Sequence, residues 1–292
     1  MKKIFEFKGK LPEGKQSVSI YRTSRPWETQ EKLLEKRMRT LPKIFGIKPK
    51  SEDHGEIIRL REKSRILDIY PASDSFIYFD EELFGNEDIK FSKTLPDERT
   101  AKESAISYLK NNSLLNDNAS FSSITYSTVA INKGTKPGRP VEYKTEIHAN
   151  FNYSIEKLPV FGPGAKSRVS FVNKETFSNL YHFWRETEDI KEKRNLMDPE
   201  FSLELFSKNF RFAKLKEDAA KVVIKKMELG YFAMSPSTLQ NYLLPVYRFQ
   251  GTISTREFPK YDFELHQVAM KYSEEDVKKM GVRINDVKSI IF

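Results

Sequence analysis

The chain contains no cysteine in 292 residues, which excludes disulfides, thiolate nucleophiles and thiolate-bound zinc while leaving the redox compartment open. Its four histidines, His54, His148, His182 and His266, stand at least 34 residues apart. No HExxH, HxH or carboxylate spacing of a metal site accompanies them, so no metal and no cofactor is expected. His148 and His266 fall in strand-like runs, which leaves a pairing across adjacent strands open. GxSxG, GxxxxGK[ST] and GxGxxG are absent, and SxxK occurs in no plausible frame, so no catalytic residue is read from the sequence. No stretch approaches the roughly 18 apolar residues of a spanning helix, and the basic start MKKIFEFKGKLPEGK lacks a signal-length apolar run. As written the chain reads as soluble and cytoplasmic, with an exported origin left open if the sequence is a trimmed piece.

What is present suits a folded, sheet-containing protein. Hydrophobic residues make up 38% of the chain, enough for a core, and its 22 Phe and 13 Tyr, with Val, Ile and Thr in alternation, fit a pleated, half-buried surface. Fifty Lys plus Arg against 41 Asp plus Glu leave a charge of +9. The densest basic runs, Lys32 to Arg39, Arg59 to Arg65 and Lys214 to Lys226, are broken by acids and read as solvated faces. No nucleic-acid reader motif joins them, which argues against a nucleic-acid partner.

Three segments share one order, a helix and then strands: 1–92, 93–190 and 191–292. In the first, a helix over Glu28 to Arg39 closes at Leu41-Pro42 and Phe45-Gly46-Ile47, followed by strands at Glu56 to Arg61, Arg65 to Tyr70 and Ser75 to Phe79, with another strand before it at Val18 to Tyr21. In the second, Asp97 or the residues following it can cap a helix over Glu98 to Asn111, with Ala101, Ala105, Tyr108 and Leu109 on one face. Strands follow at Phe121 to Ile131, Glu142 to Tyr153, Ser167 to Val172 and Phe177 to Arg185, the first two joined by the loop Asn132 to Pro140. In the third, a short turn or helix at Glu200 to Phe206 precedes an amphipathic helix over Lys214 to Leu229, with Leu215, Ala219, Val222, Val223 and Met227 on its face and Gly230 as its stop. Strands at Tyr231 to Met234, Tyr242 to Thr255 and Tyr261 to Ala269 and a capped helix from Ser273 complete it. The fold expected is α+β: tandem units, each a helix on one face of an antiparallel sheet.

The helix-then-strands order, with RTAKESAISYLKNNSLL at Arg99 to Leu115, resembles the cystatin-like modules of the PepSY superfamily and of bacterial YycH- and YycI-type regulators. LDIYPASDSFIYFDEELF, LPVFGPGAKSRVSF and YLLPVYRFQGTI are similar to stretches of exported proteins of that kind. The resemblance covers most of the chain and implies a fold and a regulatory binding role, with no catalytic residues to carry over.

The stretch from Ser154 to Glu186 concentrates the remaining signals. FGPGAK, Phe161 to Lys166, reads as a tight turn in which Gly162 or Gly164 supplies a positive φ. In YHFWR, alternation places Tyr181, Phe183 and Arg185 on one face and His182 and Trp184 on the other, and an exposed Trp beside Arg is the composition of a contact hot spot. The function expected is binding of a protein or peptide partner by an open sheet edge or face, with Trp184, Arg185, Phe161, Lys166, Tyr242, Tyr247 and Arg248 as contacts. The rival expectation is a hydrolase-like enzyme whose site is assembled only in three dimensions, and behind it a nucleic-acid binder.

Overall fold

The computed structural model describes residues 4–23, 27–48, 51–53, 55–83, 93–132, 140–210, 221–255 and 260–270. Within them lie the strands β1 (Ile4–Phe7), β2 (Ser17–Arg22), β3 (Ser51–Asp53), β4 (Ile58–Glu62), β5 (Arg65–Tyr70), β6 (Ser75–Asp80), β7 (Ala119–Ile131), β8 (Val141–Ile155), β9 (Leu158–Phe161), β10 (Lys166–Phe171), β11 (Phe177–Phe183), β12 (Glu188–Asn195), β13 (Lys221–Phe232), β14 (Leu244–Ser254) and β15 (Tyr261–Val268). Three helices accompany them: α1 (Trp27–Phe45), α2 (Glu98–Asn111) and α3 (Pro199–Asn209). None of the three is long and apolar enough to cross a membrane.

Thirteen strands join one mixed sheet in the order β15-β14-β13-β9-β8-β10-β11-β6-β5-β4-β3, with β7 added to β8 and β1 added in parallel to β13. β12 and β2 form a separate antiparallel pair. This mostly-β architecture overturns the α+β reading of tandem helix-plus-sheet units. All three segments feed the same sheet, and the third lacks its expected helix. Residues Lys221 to Leu229, read as the body of an amphipathic helix, are strand β13; Arg211 to Ala220 lie outside the described residues, as does the helix expected from Ser273.

The misreading has a physical cause. In β13 the buried side chains are those of Val222, Ile224, Met227, Leu229 and Tyr231, beside the buried Gly230, a period of two interrupted once by the bulge between Ile224 and Lys226. That three-residue step mimics helical spacing. Val223, assigned to the apolar helix face, points to the other side of the sheet from Val222. Gly230 sits in mid-strand, where a Cβ would lie 2.4 Å from the Pro159 carbonyl oxygen, so it permits β9 to approach β13.

Elsewhere local signals and structure coincide. Asp97 caps α2 by accepting from the Thr100 N–H at 2.9 Å and from its hydroxyl at 2.7 Å, and Ala101, Ala105 and Leu109 are buried along one face. α1 runs on through Pro42 to Phe45, where it had been expected to close, because Leu41 and Phe45 are both core residues and Gly46, at φ +63°, ends the helix one residue later. β7 and β8 pair antiparallel out to Ile131 opposite Val141, and residues 133–139 between them, read as a hairpin connection or a flexible loop, lie outside the described residues.

All three helices pack on one face of the sheet. The odd-numbered residues of β8 lead into two cores: Ile147, Ala149 and Phe151 meet α1 and α2 through Leu41, Phe45, Ala101, Ala105 and Leu109, and Tyr153 joins Trp184, Tyr231, Phe206 and Phe249. α3 contributes Phe206, stacked on Phe249 at 4.0 Å.

Candidate functional site

Register decides what the opposite face presents. Because side chains alternate, the even-numbered residues of β8 face away from the helices, and pairing carries that face across neighbouring strands. One row reads Ser123, Asn150, Arg168, Tyr181, Ile77, Asp68, Arg59; the next holds Ser120, Asn152, Lys166 and Phe183. Around Asn150, Asn152, Lys166, Arg168, Tyr181 and Phe183 these rows enclose an open groove of about 530 Å³. Among the described residues, no carboxylate lines it.

Most of these side chains are held by neighbours on adjacent strands. The Asn150 side-chain amide donates to the Thr125 hydroxyl at 3.0 Å and to the Ser123 carbonyl at 3.2 Å, and that of Asn152 donates to the Ser122 hydroxyl at 2.9 Å. The Arg168 guanidinium lies over the Tyr181 ring, 4.4 Å from its centroid, as expected of residues directly opposite on adjacent strands. Tyr181 and Phe183 make a tilted pair at 5.8 Å, and Phe183 meets Tyr70 edge-on at 6.1 Å.

The cations of this face differ sharply in their company. Arg59 holds Asp68 in a two-pronged pair at 2.7 Å, and Arg248 is clasped by Glu228 and Glu264. Arg168 and Lys166 have no ion-pair partner among the described residues, and the buried Arg168 Nε has no hydrogen-bond acceptor. Two uncompensated positive charges at one groove make it a place for an anion.

Beside the groove the same face sinks into a buried polar cluster. His148 Nδ1 lies 2.7 Å from the Ser170 hydroxyl and Nε2 lies 2.9 Å from that of Ser127. Ser127 donates to Glu146 at 3.0 Å, Ser178 donates to the other oxygen of Glu146, and Ser170 donates to Asn179 at 3.1 Å. Burial, with Arg168 adding its charge, lowers the His148 pKa to about 4, so the ring is neutral near neutral pH. In a Ser-His-acid relay the carboxylate stands behind the imidazole and stabilises its cation. Here a hydroxyl stands there, and Glu146 faces the serine instead. The geometry is that of a register-fixing network. His266 sits on β15, separated from β8 by β14, β13 and β9, so the cross-strand pairing of His148 with His266 does not occur.

Of the residues singled out from sequence, Lys166 lines the groove, and Phe161 and Arg248 lie on the same face of the sheet, the guanidinium 4.2 Å from the Phe161 ring centroid. The others lie elsewhere. Trp184 is 4% exposed and stacked on Tyr153 at 4.1 Å, which removes the exposed hot spot read at Trp184 and Arg185. Arg185 is 3% exposed and donates to the carbonyls of Ala72, Ser235 and Thr238, tying two loops together; burial lowers its pKa to about 10. Tyr247 is buried with its hydroxyl on the Met197 carbonyl, and Tyr242 packs against a satellite core. The turn Phe161 to Lys166 is a tight one, with Gly162 at φ +91° and the Gly164 N–H given to the Ala233 carbonyl. The alternation of YHFWR separates Tyr181 and Phe183 from His182 and Trp184 as read, but it is Tyr181 and Phe183 that face the open side while His182 and Trp184 are buried.

Fold and site together define a class: a mostly-β protein with one broad mixed sheet, helices on a single face and a polar, cationic groove on the other. No family model matches the chain, and no curated protein matches it. Among solved structures, an uncharacterised protein from Eubacterium rectale ATCC 33656 aligns over 92% of this chain and 90% of its own at 8% identity and a TM-score of 0.40, too distant to assign fold or function.

Proposed function

We propose that the protein is a binding module for an extended peptide segment that presents acidic groups, seated in the groove of Asn150, Asn152, Lys166, Arg168, Tyr181 and Phe183. The observation that supports it is the pair of cations, Lys166 and Arg168, which have no carboxylate partner among the described residues, in a groove that no described carboxylate lines. A carboxylate on the ligand would give the Arg168 guanidinium the counter-charge that no described residue supplies, and the Ser, Thr and Asn side chains around it suit a peptide backbone. A single-stranded nucleic acid would instead need free aromatic faces, and Arg168 already covers one face of Tyr181.

Fluorescence anisotropy with a labelled peptide of alternating Glu and Thr tests it, beside a Lys-Thr peptide and an oligouridylate. Binding of the acidic peptide alone, weakened about tenfold or more in Arg168→Ala, is the expected result, since each lost charge-assisted contact is worth about 1.5–3 kcal/mol. Equal binding of both peptides overturns the reading, and preference for the oligouridylate transfers the groove to nucleic acid.

A further inference from the structure

β7 has a second edge that no strand occupies: among the described residues it pairs with β8 alone. An open edge is a row of unpaired N–H and C=O groups that invites another strand, and sequences usually blunt it with charge, proline or bulges. Other exposed strands of this protein are blunted so. β15 carries Asp262 and Glu264, and six of the eight residues of β12 are charged. β7 reads ASFSSITYSTVAI, 13 residues without a charge, a proline or a glycine. One bulge interrupts it at Ser122; the second irregularity of the hairpin falls on Thr145 of β8, so Ser123 to Ile131 continues without a break of its own.

We infer that β7 pairs with β7 of a second copy of this chain, antiparallel about a two-fold axis, so that the two sheets join edge to edge. The strand is its own suitable partner. Reversed against itself, it brings no like charges together at any position, whereas the same operation on β12 would oppose several. Its outward-lying Thr125, Thr128 and Ala130 are exposed, small or β-branched residues that favour strand pairing. The nearest charges of α2 are turned to their own strand: Glu98 accepts from the Tyr126 hydroxyl at 2.9 Å, and Lys102 lies over the Phe121 ring at 4.7 Å. A two-fold contact also closes, because each copy spends its one uncharged edge and leaves none for a third. The pairing rests on the backbone edge of β7 and not on the groove reading, although Ser122, Ser123 and Thr125 of β7 also line the groove.

Sedimentation velocity on the full chain, from low micromolar to near-millimolar concentration, tests this beside two variants. The unaltered chain is expected to sediment as a dimer whose fraction rises with concentration. Thr128→Lys with Ala130→Lys, at exposed positions outside the groove lining, is expected to sediment as a monomer throughout while melting at the temperature of the parent chain. Thr128→Ser with Ala130→Ser should remain dimeric. A parent chain that is monomeric at every concentration overturns the inference, as does a lysine variant that dimerises as tightly as the parent, and growth beyond the dimer overturns the two-fold form of it.

Discussion

The two faces of β8 carry opposite chemistry on one backbone. Its odd-numbered residues, Ile147, Ala149, Phe151 and Tyr153, are buried against helices and aromatic rings, while its even-numbered ones, Glu146, His148, Asn150 and Asn152, pass from a buried polar network to an open groove. The difference separates what holds the sheet from what it displays. The helix-covered face derives its stability from apolar area removed from water and from close packing, and the other spends side chains on position and charge.

The largest effect should come from the covered face. Phe151→Ala removes a ring that is 2% exposed and meets Phe121 edge-on, and a loss of about 3–5 kcal/mol in chemical denaturation is expected. A loss under about 1 kcal/mol would erase the contrast between the faces. Next comes acid. His182, on the covered side, is stacked on Phe76 at 4.9 Å and donates from Nε2 to the Leu114 carbonyl, and burial lowers its pKa to about 4. Its unfolded counterpart titrates near 6.5, so the unfolded chain binds the proton first. The stabilising contribution is therefore complete above about pH 6.5 and lost as pH falls towards 4, with a ceiling of about 3 kcal/mol for this one group. Urea titrations at stepped pH should show that fall, and His182→Gln should flatten it. His148 has its pKa lowered to the same range, so His148→Gln should flatten a further part of the same fall.

Gly230→Ala sharpens the comparison at an intermediate level. Its Cβ would meet both the Pro159 carbonyl and the Phe161 ring, parting β9 from β13 at the point where the two halves of the sheet join, and a cost of about 1–3 kcal/mol is expected from the midpoint of denaturation. The smallest effect on stability belongs to the groove. Asn152→Ala with Lys166→Ala should move stability by about 0.5 kcal/mol or less, because both side chains lie at the open surface, while acidic-peptide affinity falls. A large destabilisation there would make the groove part of the scaffold.

Local rules wrote much of this molecule legibly. The α2 cap and its apolar face, the β7–β8 hairpin and the runs of β5 and β6 follow from capping chemistry and period-two patterning, interactions that span only a few residues. β13 was illegible because one bulge shifts its pattern by a residue, and a shifted strand and a helix share the spacing of three. The groove was illegible for another reason. Arg168, Tyr181 and Asn150 lie on three strands, and nothing local says which of them will stand side by side or which face the helices will choose. Trp184 shows the same limit: alternation set it opposite Tyr181, but only packing against Tyr153 made its side the inside.

By itself, then, the sequence determined a cysteine-free chain with a capped central helix, alternating strands and an uncharged β7, because composition, capping and periodicity act within a few residues of their cause. The tertiary structure alone decided that thirteen strands merge into one sheet, that the helices gather on a single face, and that Lys166 and Arg168 meet in a groove without a counter-charge. Those are outcomes of register and of burial, and both are settled between segments far apart in the chain.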